Sequence, residues 1–167
     1  MATQATQKIP KGWEKTTLGE VADVFSGSTP ATGEGSFWDG EIPWITPKDL
    51  SGYSSVFISH GERSITREGL ENSSIQKLPK NTVLFSSRAP IGYVAIAQNE
   101  ITTNQGFKNV VCDENQSHYK FFYYWLKLNA RNIEKLSSGS TFSEATASVM
   151  RSLKINLPSF LEQKAIA

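Results

Sequence analysis

A single cysteine, Cys112, stands among 167 residues, so no internal disulfide can form and no cysteine-based zinc cluster can be assembled. It follows Val110-Val111 at the end of an apolar run, which predicts a small buried hydrophobe. Histidine is nearly as scarce. His60 and His118 stand alone, neither in a His-Glu-x-x-His spacing, and a metal site is not expected. No run is long and apolar enough to span a bilayer, and the polar N-terminus lacks the apolar centre of a secretory signal. These absences set a reduced, cytoplasmic compartment as the expectation. An excess of one charge is missing too: 17 Lys and Arg face 16 Asp and Glu, a formal net charge of +1. That excludes a strongly basic nucleic-acid coat protein, while a local basic face stays compatible with the total.

Signatures of catalysis are also wanting. Gly27-Ser28 and Gly139-Ser140 leave the Gly-x-Ser-x-Gly elbow of a serine nucleophile incomplete. Around Phe25-Ser26-Gly27-Ser28 the glycine pattern that cradles a dinucleotide is absent. There is no Asn-Pro-Pro-Tyr or Asp-Pro-Pro-Tyr tetrapeptide of the kind that holds a target base for amino-methylation. The carboxylates are scattered, with no pair placed as acid and base. The chain reads as a binder, not a catalyst.

What is present is a globular composition, 38% hydrophobic and 11% aromatic, in a chain long enough to bury a core. The central stretch runs from Thr82 to Asn109. Val83-Leu84-Phe85 and Tyr93-Val94-Ala95-Ile96-Ala97 predict two strands joined by a turn over Ser86 to Gly92, where Pro90 lacks a donor and Gly92 tolerates unusual dihedrals. Thr102 to Phe107 then places hydroxyls and amides around Gly106.

Elsewhere, Leu18 to Phe25 predicts one helical turn and then a strand that breaks at Ser26 to Pro30. Residues 31–40 predict a loop pinned by Phe37 and Trp38. Ile42 to Ile45 predicts a short strand that Pro43 places at an edge or at the start of a ladder, with a turn over Thr46 to Leu50. A helix capped by Thr66 or Ser64 is weakened by Gly69. Leu78 to Asn81 turns the chain into the central stretch, and Phe107 to Cys112 adds a strand. The clearest helix is His118 to Ile133, with Phe121, Phe122, Tyr124, Trp125 and Leu128 as its core face. A shorter helix over Glu144 to Arg151 and a strand over Leu153 to Leu157 follow. Ser159, with Glu162 three residues on, caps a last helix that lacks a C-terminal signal, as though it belonged to a longer one. The expected fold is α+β: a twisted, mostly antiparallel sheet of short strands with flanking helices and an outward C-terminal helix.

Several phrases occur in a telling order. They are Gly12-Trp13 with Thr17-Leu18-Gly19-Glu20, Gly27-Ser28-Thr29-Pro30, and Ile42-Pro43-Trp44-Ile45-Thr46-Pro47-Lys48-Asp49-Leu50. Ser86 to Gly92, Thr103 to Phe107, Ile155-Asn156-Leu157-Pro158 and Glu162 to Ala167 continue the series. Together they resemble the target recognition domain of a type I restriction–modification DNA specificity subunit, from Gly12 to Ala167.

The resemblance implies a flexible leader at 1–11, a recognition domain at 12–158 and the start of a spacer helix at 159–167. It implies a non-catalytic reader of double-stranded DNA, with no cofactor of its own, that binds one half of a split site. Its expected partners are methyltransferase subunits, which use S-adenosylmethionine to methylate adenine, restriction subunits, and a second specificity half or domain; no membrane is involved. Under this reading Arg88 serves a base or a phosphate and Lys48 a phosphate. Asn104, Gln105 and Lys108 offer amide and charge, and Ser138, Ser140 and Thr141 offer hydroxyls. Phrases shared by domains that read different sequences are expected to position fold or backbone. Base selection then falls to the loops at 31–40, 52–67 and 98–101, where Trp38 and Tyr53 are expected to pack, not intercalate. The rival readings are a carbohydrate- or peptide-binding β module, a fragment of a self-contained methyltransferase, and a purely structural partner-binding domain.

Overall fold

The computed structural model describes residues 9–88, 90–137 and 143–167. Strand β1 (Glu14–Thr17) leads into the single turn α1 (Leu18–Val21) and then β2 (Ala22–Ser26). The middle of the chain carries β3 (Trp38–Ile45), β4 (Phe57–Ile58), β5 (Arg63–Ile65) and α2 (Arg67–Glu71). The central stretch supplies β6 (Val83–Ser87), β7 (Ile91–Ala97), β8 (Thr102–Thr103) and β9 (Phe107–Cys112). The chain closes with α3 (Tyr119–Ser137), α4 (Ala147–Arg151), β10 (Lys154–Leu157) and α5 (Phe160–Ile166).

These strands form a five-stranded sheet ordered β2-β9-β6-β7-β4, a three-stranded sheet ordered β5-β3-β8, and the pair β1-β10. Pairing is antiparallel except between β4 and β7 and between β3 and β8. The α+β architecture expected from the sequence is the one observed.

Strand β6 is the axis of the fold, and every one of its residues is buried. Because side chains alternate across a strand, Val83 and Phe85 enter one core and Leu84 enters another. Ile96 and Val110 join Val83 and Phe85 in the first core, which α1, α3, α4 and β10 cover. Ala95, Ala97 and Phe107 join Leu84 in the second, beneath Ile45, Leu50, Ile58, Leu78 and Ile101. A third, smaller core gathers Trp38, Trp44, Ile65 and Ile75 around the three-stranded sheet. Cys112 packs against the first core, and burial pushes its thiol up to about 12.

The β6–β7 connection is shorter than expected, because both strands extend into the segment read as a turn. Ser86 Oγ donates to the Pro90 carbonyl at 2.7 Å and accepts from the Tyr93 amide at 2.8 Å, tying the two strands across it. Gly92 has φ +109, and a Cβ there would stand 2.8 Å from Ala130 Cβ on α3.

Two expectations are corrected. Strand β3 begins at Trp38, inside the span read as a loop; it lies at the centre of its sheet, so of the two placements Pro43 allowed, an edge or the start of a ladder, the second is the one observed. A bulge between Trp38 and Ile42 absorbs the irregularity, and β8 pairs only with Trp44 and Ile45, so the missing N–H of Pro43 falls outside the parallel ladder. On α3, Tyr124 and Leu128 face solvent, with Leu128 84% exposed, while Phe121, Phe122, Tyr123, Leu126 and Ile133 are buried. Tyr124 and Leu128 lie roughly 200° and 240° around the helix from Phe122, on the side away from the sheet.

Candidate nucleic-acid interface

The phrases that stand far apart in the sequence interlock at one end of the central sheet. The Ser28 amide donates to the Thr103 carbonyl at 3.0 Å and the Gly27 amide to the Phe107 carbonyl at 3.3 Å. Gly27 lies so close to the next segment that a Cβ would stand 1.9 Å from the Asn104 carbonyl oxygen, which only glycine permits. The Asn104 amide donates to the Ile45 carbonyl at 2.9 Å, and the Ser87 amide to the Gly106 carbonyl at 2.8 Å. The Ala145 amide closes the set on the Ser87 carbonyl at 2.9 Å. Turns from five parts of the chain thus share one rim, each fixed by main-chain hydrogen bonds.

On this rim Gln105 is exposed and its side-chain carbonyl accepts from Thr29 Oγ1. The side-chain carbonyl of Asn104 accepts from the Gly106 amide at 2.9 Å, which fixes the turn and leaves the amide NH2 unpaired with any described residue. Arg88 is half-buried at the end of β6, and its guanidinium has no hydrogen-bond or ion-pair partner among the described residues. Lys108 points the other way. Its position on β9 shares a sheet face with Val110, so the side chain enters the interior, 3.0 Å from Glu144 Oε1 and 3.3 Å from Ser87 Oγ. Ser138, Ser140 and Thr141 lie outside the described residues.

Beside the rim a second assembly gathers Lys48 and parts of the loops at 31–40 and 52–67; within it, Glu62 and Arg63 were not named individually by the sequence reading. Asp49 is the third residue of a short turn over Pro47–Leu50, where its Oδ2 accepts from the Thr46 amide at 2.7 Å and from Thr46 Oγ1 at 2.9 Å. The other carboxylate oxygen accepts from the Glu62 amide at 2.8 Å, tying this turn to the chain that leads into β5. Lys48 and Glu62 form an exposed ion pair at 2.8 Å, with Lys48 79% exposed, and the carboxylate raises the lysine above its ordinary value. At such exposure the pair contributes little to stability. Next in the chain, Arg63 lays its guanidinium 3.6 Å from the centroid of Trp38 and 5.7 Å from that of Trp44.

The two tryptophans meet edge to face at 5.0 Å, and both are buried. Their indole N–H groups donate to the carbonyls of Ala31 and Ser28, at 3.3 and 3.0 Å. Trp38 is therefore a packing group. Tyr53 is more exposed, with its hydroxyl donating to the Phe57 carbonyl at 2.6 Å.

The three loops expected to select bases are neighbours. Thr66 Oγ1 donates to the Ser36 carbonyl at 2.7 Å, joining the first loop to the second. Asn99 Nδ2 donates to the Ser59 carbonyl at 3.2 Å, joining the third. Trp44 then links this assembly to the rim through Ser28. Spacing gave no sign of the Arg63–Trp38 contact, since the bulge in β3 sets its register. Among the described residues no group of three or more His, Cys, Asp and Glu is placed to hold a metal ion, and no helix is long and apolar enough to cross a membrane.

Comparison with known proteins places this geometry in context. Residues 10–167 match the model of the type I restriction modification DNA specificity domain. The chain is 44% identical over 161 residues to the type I restriction enzyme MjaIX specificity subunit of Methanocaldococcus jannaschii, covering 96% of this chain and 37% of that protein. It is 29% identical over 157 residues to the EcoR124I/EcoR124II specificity subunit of Escherichia coli, covering 90% of this chain and 38% of that one. The chain thus spans a little over a third of the length of these curated relatives. Among solved structures, a chain of a type I R-M system superposes with a TM-score of 0.77 at 21% identity, covering 98% of this chain and 38% of that one. The HsdS subunit from Thermoanaerobacter tengcongensis superposes with a TM-score of 0.74 at 20% identity, covering 98% of this chain and 37% of that one; both likenesses bear on the fold alone. With the family model matched along nearly its whole length, the chain belongs to the type I restriction modification DNA specificity domain family.

Proposed function

We propose that this domain recognises double-stranded DNA as one reading unit of a type I restriction–modification specificity subunit. It binds one half of a bipartite target and directs partner methyltransferase and restriction subunits, which methylate adenine and cleave; the domain itself performs no catalysis. The observation that carries this reading is the 44% identity to a specificity subunit across 96% of the chain. We assign residues 12–158 to the recognition domain, 159–167 to the start of a spacer helix and 1–11 to a leader. We assign the domain's place of action to the cytoplasm.

Within this reading the rim supplies the DNA-facing groups: Arg88 and Gln105 at its surface, the amide of Asn104 beside them, and Lys48 on the adjoining turn. Ser138, Ser140 and Thr141 stay in the proposed set as hydroxyl donors to phosphate. Lys108 serves the interface from behind. Its ammonium is spent on Glu144 and Ser87, so it braces the turn that carries Arg88. The balanced net charge suits a unit that holds half a site and relies on a second unit for affinity. The buried tryptophans of the 31–45 region offer no flat aromatic platform for a sugar, which weighs against the β-module alternative.

The test is methylation mapping in cells that carry the full-length gene, with this segment native or exchanged for that of a relative. One half of the methylated motif should change while the spacing and the other half persist. An unchanged motif would overturn the reading.

A further inference from the structure

Arg63 combines features found together in no other cation of the two assemblies. Its guanidinium lies on the face of a buried indole, 3.6 Å from the Trp38 centroid, with Trp44 as a second aromatic wall at 5.7 Å. Trp38 and Trp44 are themselves fixed by their own hydrogen bonds to Ala31 and Ser28. Stacking uses the π face of a guanidinium and leaves its in-plane N–H donors uncommitted. The side chain is exposed and has no hydrogen-bond or ion-pair partner among the described residues. Its strand is held at both ends. Asp49 fixes the Glu62 amide before it, and the Thr66 amide donates to the Phe37 carbonyl after it, at 2.9 Å. Lys48, by contrast, is engaged with Glu62. A flexible arginine loses rotamer entropy when it docks; one already stacked and oriented loses less.

We propose that Arg63 is a specificity-determining residue that reads a guanine, donating two parallel hydrogen bonds to O6 and N7 on the major-groove edge of one base pair in the half-site. The proposal rests on the DNA-reading function above and deepens it. The planar fork matches that edge in a way a lysine ammonium cannot. Arg63 also opens β5 within the 52–67 span expected to select bases, outside the phrases that carry the family resemblance.

The experiment uses the full-length specificity chain assembled with its methyltransferase, and duplexes in which each base pair of the mapped site is varied in turn. Binding is measured at several salt concentrations for the native chain and for Arg63→Ala, Arg63→Gln and Arg63→Lys, with thermal melts reporting the fold. For Arg63→Ala and Arg63→Gln, discrimination at one G·C position should fall roughly 5- to 150-fold while the other positions and the salt slope keep their native values. Arg63→Lys should retain the charge and still lose most of that discrimination. A uniform loss of affinity with a shallower salt slope would make Arg63 a phosphate holder and overturn the proposal. So would unchanged discrimination in variants that melt as the native chain does. If the native complex itself does not discriminate among duplexes, the DNA-reading function fails first, a result distinct from either.

Discussion

Lys108 Nζ and Glu144 Oε1 stand 3.0 Å apart, joining the back of the central sheet to the segment that leads into α4. The two ends of this pair are unequal. The lysine side chain is 7% exposed and the glutamate 33%. Removing the carboxylate strands a buried ammonium with Ser87 Oγ as its remaining acceptor among the described residues, whereas removing the ammonium leaves a carboxylate that water still reaches. Glu144→Ala should therefore destabilise more than Lys108→Met, by about 2–4 kcal/mol against about 1 kcal/mol. Urea denaturation of both variants checks the order, and a larger loss for Lys108→Met would contradict it.

Gly27 gives a second expectation. Alanine there drives a methyl into the Asn104 carbonyl, a main-chain group held by the turn it belongs to. The Gly27→Ala variant should lose about 3 kcal/mol and separate the rim segments. Gly33 has open space around the same position, so Gly33→Ala should fall within about 0.5 kcal/mol of native. Comparing their melting temperatures, with DNA binding as the second readout, tests whether the packing of the Gly27 turn builds the interface.

His118 supplies the pH dependence. Burial lowers its affinity for a proton below the ordinary histidine value, helped by the charges of Lys164 and Lys120, and its Nδ1 has no hydrogen-bond partner among the described residues. The unfolded chain then binds the proton more readily than the folded one. Stability is fully present above the unfolded value, near 6.5, and is lost as pH falls through the lower folded value. Thermal melts from neutral to mildly acidic pH should show this decline, and His118→Phe should flatten it. An equal decline in both proteins would assign it elsewhere.

Salt dependence separates Arg88 from Lys48. Arg88 has no ion-pair partner among the described residues, so Arg88→Ala should weaken DNA binding by the assembled complex and reduce the salt slope by about one. Lys48 shares its charge with Glu62, so Lys48→Ala should reduce the slope by less. Conversely, Glu62→Gln should strengthen binding at low salt. Titrations at several ionic strengths decide it, and native affinity and slope in all three variants would remove both cations from the interface.

Much of the fold was legible because its strongest signals are local. The apolar runs of β6, β7 and β9, the Thr66 and Ser159 caps, and the start of α3 each follow from a few neighbouring residues. The failures have long-range causes. The early start of β3 at Trp38 depends on its pairing with Ile65 of β5, and the solvent face of α3 depends on which side the sheet occupies. The candidate site divides the same way. Arg88, Gln105 and Lys48 were singled out because their phrases resemble a family, but the inward turn of Lys108 and the stacking of Arg63 on Trp38 each required a partner many residues away.

By itself the chain of residues determined a β-rich domain, most of its longer elements, the Thr66 and Ser159 caps, and the phrases by which its kinship can be recognised. Tertiary structure alone decided which polar groups remain free to meet a ligand. Local sequence dictates backbone preference, but whether a charge is buried, paired or exposed depends on what the rest of the chain brings against it. That is why two lysines and an arginine of similar promise came to differ: Lys108 inside, Lys48 paired, Arg63 stacked and unpaired.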